Sequence, residues 1–232
     1  ALFQTLYPSK YFTMRDSVVK HFNYGKSRGP EISTMKQIND NVLFGFHRLA
    51  INGLDDISNQ PICVDGIYLI CNGEIYNYKS IYTLLNIKPT TNSDCESIIH
   101  MYKKYGIEYT LQNLDGVFAF TLYDSNTNEA YIARDPFGVR PMYYGKDRDN
   151  RLIVFSSLLK QVTDLCDTCE NFKAGTYLRL SITPGTKSAG GSRDDANDNI
   201  DLSSGQISYT TFNYNHNVIT NTASINSNEL YS

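Results

Sequence analysis

Apolar positions along the chain follow two periods, and their succession sets out the elements. Alternating or short continuous apolar runs predict strands over residues 1–6, 42–46, 62–70, 116–123, 129–134, 142–145, 152–156 and 175–180. Helical spacing predicts helices over 11–24, where Met14, Val18, Val19 and Phe22 share a face, and over 78–85 and 94–104. Ser93-Asp94-Cys95-Glu96 reads as a capping box, with Ser93 capping the last of these helices and Glu96 reaching back to it. Asp124-Ser125-Asn126-Thr127-Asn128 is turn chemistry throughout and joins two strands into a hairpin. Strands joined mainly by hairpins, with helices grouped between them, predict an α+β fold of antiparallel sheets covered by helices.

The pattern changes after Leu180. Residues 183–206 are rich in Gly, Ser, Asp and Asn, so a mobile polar loop is expected there. Within it, Ser188-Ala189-Gly190-Gly191-Ser192 superficially looks like a phosphate-binding loop, but no buried strand precedes it and no helix follows. Residues 207–219 read as one more strand pair or the start of a connection, and 207–232 hold no second domain.

Length and charge narrow the function classes. A chain of 232 residues suits one domain plus an appendage, and a net charge of −3 without a basic stripe argues against nucleic acid. The sequence has neither a signal-peptide pattern nor an apolar run of membrane-spanning length, so a cytoplasmic protein without membrane contact is expected. The five cysteines, Cys63, Cys71, Cys95, Cys166 and Cys169, fit reduced thiols better than a disulfide framework. Cys166-Asp167-Thr168-Cys169 lacks a second pair at metal-ligand spacing and reads as two thiols in a surface turn, so no metal site is expected.

Candidate chemistry centres on Asn72-Gly73, placed directly after the apolar run Gly66–Ile70. Asn-Gly is the strongest short hairpin signal. Here the following Glu74-Ile75-Tyr76-Asn77-Tyr78 is no clean return strand and runs into helical spacing, which favours the other reading. A side-chain amide and a neighbouring backbone N–H held by a strand end can stabilise the negative oxygen of a tetrahedral intermediate.

Six segments in order carry a family resemblance: Arg28-Gly29-Pro30-Glu31, Phe46-His47-Arg48-Leu49-Ala50-Ile51, Cys71 through Tyr78, Asn92-Ser93-Asp94-Cys95-Glu96, Leu114-Asp115-Gly116-Val117-Phe118-Ala119-Phe120, and Ala133-Arg134-Asp135-Pro136-Phe137-Gly138-Val139-Arg140-Pro141. Over residues 1–182 the chain resembles the glutamine-hydrolysing domain of asparagine synthetase, a class II glutamine amidotransferase of the N-terminal-nucleophile hydrolase fold. The resemblance implies a four-layer αββα sandwich. It assigns Asn72 and Gly73 to an oxyanion hole, and Arg48 to the α-carboxylate of glutamine. It gives Asp94, helped by Gly73 and Glu74, to the α-ammonium, with Leu49, Ala50, Ile51 and Asn52 lining the same pocket. Read alone, Arg48 is a solvated strand-end charge and Asp94 a first-turn carboxylate favoured by the helix dipole. Arg134 to Gly138 is expected to build a rigid turn near the pocket without a catalytic step.

The family's nucleophile is an N-terminal cysteine whose α-amino group serves as base. Its place falls just upstream of Ala1, so the expectation is a glutaminase domain lacking its first few residues. Cys63, Cys71 and Cys95 are poor substitutes, since an internal thiol needs a histidine base and His47 is the only tempting partner. The resemblance further implies glutamine as substrate, ammonia passed to a C-terminal synthetase domain that amidates aspartate, and ATP and Mg for that domain only. A homodimer stays open. The alternatives are a catalytically silent glutamine-binding scaffold and an amidotransferase domain serving another acceptor.

Overall fold

In a computed structural model, which describes residues 1–6, 15–49, 53, 55–148, 152–182 and 210–212, two six-stranded sheets lie face to face. The first has the order β10-β8-β9-β1-β3-β2, from strands β1 (Leu2–Leu6), β2 (Ile32–Asn39), β3 (Val42–Arg48), β8 (Tyr143–Lys146), β9 (Ile153–Ser156) and β10 (Thr168–Asn171). The second has the order β12-β11-β7-β6-β5-β4, from β4 (Ile62–Val64), β5 (Ile67–Ile75), β6 (Gly116–Asp124), β7 (Glu129–Arg134), β11 (Thr176–Ser181) and β12 (Thr210–Thr211). Every strand pair described within the sheets is antiparallel.

Strand alternation explains the layers. On β6, Ala119 and Tyr123 point between the sheets and pack with Leu2, Phe44, Ile70 and Phe155. Their neighbours Phe118, Phe120 and Leu122 face the opposite way, onto the helices α2 (Tyr78–Leu85) and α3 (Glu96–Asn113) through Ile81, Ile98 and Leu111. Helix α1 (Arg15–Asn23) covers the outer face of the first sheet, with Val18 and Phe22 packed on Phe3, Val154 and Val162. The result is the expected αββα sandwich of antiparallel sheets.

Several local expectations need correction. The predicted strand 62–70 is two strands, because Asp65 and Gly66 take positive φ (50° and 80°) and turn the chain into a hairpin. Strand β5 continues past Ile70 to Ile75, so Asn72-Gly73, which as expected makes no turn, lies within the strand rather than just beyond its end, paired with Ala119 and Phe118. The run 32–39, for which the apolar pattern predicts no strand, forms β2 at a sheet edge, where its polar side chains stay wet. Val19 is exposed, so it does not share the buried face of Val18 and Phe22, while Met14 lies outside the described residues. Cys169 sits on β10 rather than in a surface turn, and burial pushes the Cys166 thiol up to about 12. Helix α3 runs past Lys104 to Asn113, broken at Gly106 by φ 79° and ψ 175°. Of 183–206 nothing is described, and of 207–232 only 210–212, so the loop, its glycine-rich stretch and the terminal connection lie outside the described residues.

The capping box does not form either. Cys95 occupies the N-cap of α3, and the Glu96 carboxylate turns away from Ser93 to accept from Thr90 N (2.8 Å), Thr91 N (2.6 Å) and His100 Nε2 (2.9 Å). Burial would raise its pKa, but the bonds from His100, Thr91 and Thr90 outweigh burial and bring it to about 2. Glu96 therefore ties the 90–91 segment to α3 behind Asp94. Because the folded value lies below the ordinary 4.5, its stabilisation is complete above about pH 4.5 and is lost as pH falls towards 2. Glu96→Gln is expected to cost about 2 kcal/mol near neutral pH, read by chemical denaturation, and to flatten the acid limb of the stability profile.

Candidate active site

A pocket of roughly 190 Å³ opens at one end of the sandwich, where β1, β3 and β5 converge with the N-terminus of α3. It is smaller than the ~300–1,000 Å³ of drug-sized sites and suits a ligand about the size of an amino acid. Arg48 and Leu49 reach it from β3 and the residue after, Asn72, Gly73 and Glu74 from β5, and Asp94 from the turn before α3. Ala50, Ile51 and Asn52 lie outside the described residues.

Strand β5 explains how its pocket groups are aimed. In an antiparallel strand, alternate residues direct both backbone groups to the same side. Away from β6, Cys71 N bonds to Gln60 Oε1 (2.6 Å) and Ile75 N to Asp94 Oδ2 (2.6 Å). Gly73, midway between them, sends its N–H to that same side, which is the pocket. Its lack of a side chain is required, since a Cβ there would lie 2.3 Å from Val117 O and 2.7 Å from Phe118 Cα. The Asn72 amide donates to Ser157 Oγ (3.3 Å), which also accepts from Leu2 N (3.1 Å) and so ties Asn72 to the start of β1.

Charges line the pocket in two groups. Arg28, Arg48 and Arg140 supply positive charge, and Asp94 and Glu74 negative. At the start of β1, Ala1 N donates to the His47 carbonyl (2.8 Å). Arg48 is held by the loop beyond β3, donating to the Gly53 carbonyl, the Asp55 carbonyl (3.2 Å) and Asn59 Oδ1. The solvated strand-end reading of Arg48 therefore fails, for it is buried and fully oriented.

The rigid turn expected at 134–138 is present. Arg134 donates to the carbonyls of Gly138, Arg140 and Phe172 and to Asn171, and the Asp135 carboxylate accepts from the backbone N–H groups of Phe137, Val139 and Arg140. The turn delivers Arg140 to Glu74, which it pairs at 2.9 Å. Glu74 thus faces a cation within the protein. Arg28, Gln60 and Arg140 are pocket residues that the sequence reading did not select. Arg28 and Arg140 stood in resemblance segments, whereas Gln60 carried no signal at all.

Neither internal thiol at the pocket is a ready nucleophile. Cys71 and Cys95 are buried, and a thiol–thiol hydrogen bond together with burial raises the Cys95 pKa well above its ordinary value. His47 is no base for them. Its Nε2–H donates to the Phe22 carbonyl (2.7 Å), which leaves Nδ1 to accept from the Ser33 hydroxyl (2.8 Å). Burial lowers its pKa further, so it is a neutral structural imidazole stacked on Phe22.

Residues 8–189 match the family described as the glutamine amidotransferase domain. The chain belongs to that family. Glutamine-hydrolysing asparagine synthetases are among its relatives: that of Mesocricetus auratus is 39% identical over 173 residues, covering 70% of this chain, and that of Homo sapiens is 38% identical over the same span. The chain spans about 30% of the length of these relatives. The glutamine phosphoribosylpyrophosphate amidotransferase from B. subtilis shares the fold, with a TM-score of 0.57 at 18% identity over 78% of this chain and 47% of that one. Among the described residues, no helix is long and apolar enough to cross a membrane, and no three His, Cys, Asp or Glu side chains are grouped to hold a metal.

Proposed function

We propose that this chain is the glutaminase part of an asparagine synthetase, freeing ammonia from glutamine for the ATP-dependent amidation of aspartate elsewhere in the protein. The observation that carries this reading is the convergence of Arg48, Asp94, Asn72 and the Gly73 N–H on one pocket that also receives the start of β1. Arg48 and Asp94 match the carboxylate and ammonium of a free amino acid. Asn72 and Gly73 would then face its side-chain carbonyl.

In this proposal a cysteine just upstream of Ala1 enters the pocket as β1 is extended backwards, beside Asn72 and Ser157. Its α-amino group, with an ordinary pKa of ~7.7 to 8.0, takes the thiol proton. The thiolate forms a bond to the amide carbon, the carbonyl electrons move to oxygen, and Asn72 and Gly73 donate to the resulting oxyanion. Collapse restores the carbonyl and expels ammonia, which carries away the proton. Water then attacks the thioester through a second oxyanion, giving glutamate and the free thiol.

ATP and Mg belong to the amidation, and their site is proposed for the synthetase part beyond this chain. The pocket described here does not suit a polyphosphate, being small and carrying the Asp94 and Glu74 carboxylates. The full-length protein, with its N-terminal cysteine processed, is expected to release ammonia from glutamine and to be trapped by a glutamine-mimicking electrophile. Residues 1–232 alone are expected to release none. Full-length protein that binds glutamine but releases no ammonia would identify a silent binding domain. Ammonia release without asparagine formation from aspartate and ATP would identify another acceptor.

A further inference from the structure

We propose that Gln60 is a positioning residue for the oxyanion site, its side-chain amide standing in for a missing neighbour strand and fixing the line along which the Gly73 N–H points. The inference rests on the glutaminase reading above. Strand β4 covers β5 only at Ile67–Leu69. Past that point the outer edge of β5 is open, and an open edge exposes backbone groups that bend towards water or another strand. Gln60, at the pocket wall, closes it. Its Oε1 accepts from Cys71 N (2.6 Å) and its Nε2 donates to Cys71 O (3.1 Å), so one amide reproduces both bonds of a strand pair.

The Asp94 carboxylate caps the next but one outward-facing residue, at Ile75 N (2.6 Å). Between these two clamps only Gly73 turns its backbone groups into the pocket. Asn72 lies between Cys71 and Gly73, so the same clamp also sets the base from which its amide projects. An oxyanion hole works by donors fixed before the charge appears, and a slack strand would have to be reordered during the reaction. Gln60 touches neither the substrate carbonyl nor the thiol in this scheme. It acts through β5.

The test uses the full-length protein with Gln60→Met, which keeps side-chain length and removes both bonds. Glutaminase kinetics are measured alongside binding of L-glutamate and of glutamate γ-semialdehyde. The aldehyde carbon bonds to the thiol sulfur and its oxygen takes up the thiol proton, leaving that oxygen in the hole. The expected result is a kcat lowered about 10- to 100-fold with KM for glutamine within about threefold. Affinity for the aldehyde should fall by the same factor while that for glutamate holds. Unchanged kcat, or equal losses of glutamate and aldehyde affinity, would overturn the role. Should Gln60→Met fail to fold, Gln60→Glu keeps the acceptor for Cys71 N, sets an oxygen against Cys71 O, and is read by the same outcomes. Inactive wild-type protein would overturn the glutaminase reading and this role together, whereas an active wild type with normal variants overturns this role alone.

Discussion

Asn72→Asp is expected to lower glutamine turnover by about 10²- to 10³-fold while glutamine binding changes only a few-fold. The substitution is nearly isosteric, and the Ser157 hydroxyl that now accepts from Asn72 Nδ2 can donate to a carboxylate instead. Little therefore disturbs β5, whose pairing with β6 runs through backbone groups. What changes, in the proposed reaction, is the sign of the group facing the substrate carbonyl. Ground-state glutamine presents a neutral oxygen there, so KM is spared, but the intermediate places a negative oxygen beside a negative carboxylate. The neighbouring Gly73 N–H remains, which sets a floor under the loss. Steady-state ammonia release by the full-length protein decides the matter. Normal turnover in Asn72→Asp would remove Asn72 from the reaction.

The fold was legible where one signal decided a segment. β6 and β7 follow from largely apolar runs around a polar turn, and their hairpin forms as that pattern requires. The two Xaa-Gly pairs of β4–β5 show the limit of such signals. Asp65-Gly66 turns, since both residues adopt positive φ with polar Ser125 and Asn126 around them, whereas Asn72-Gly73 is held straight by nine consecutive pairings with β6. Tertiary pairing overrides local preference there. Edge strands β2 and β10 were illegible for a related reason, as half-exposed strands lack a continuous apolar face.

The site was legible to the extent that its residues sit in the resemblance segments. Arg48, Asn72, Gly73, Glu74 and Asp94 do meet around one pocket, although they come from three separate elements. Arg140 and Gln60 were missed because each acts through a partner far from it in sequence, Glu74 and the Cys71 backbone respectively. No pattern within a single segment reports such a pairing. Glu96 shows the reverse case, a cap signal diverted because the 90–91 backbone offered its carboxylate two N–H donors and a histidine.

Arg48→Ala is expected to raise the Michaelis constant for glutamine by about 100-fold, and Arg48→Lys should recover little of it. From residue chemistry alone, lysine would restore binding in part, since a charge survives when the fork is lost. The structure argues for less. The guanidinium is anchored by the Gly53 and Asp55 carbonyls and Asn59 Oδ1, contacts that use both terminal nitrogens and fix the plane of the group. An ammonium can satisfy these acceptors or a substrate carboxylate, but it cannot present a planar edge to both at once. Releasing Gly53, Asp55 and Asn59 also disturbs the Asp55 carboxylate, which bonds to Asn92 close to Asp94. In the proposed binding mode the loss therefore reaches the side of the pocket that would take the ammonium as well. Because the proposed clamp would grip glutamine equally in the ground state and the intermediate, kcat at saturation should fall far less than kcat/KM. Titrating glutamine against ammonia release for the wild type and both variants tests this, and a KM unchanged in Arg48→Ala would place the carboxylate elsewhere, with Arg28 the next group to examine.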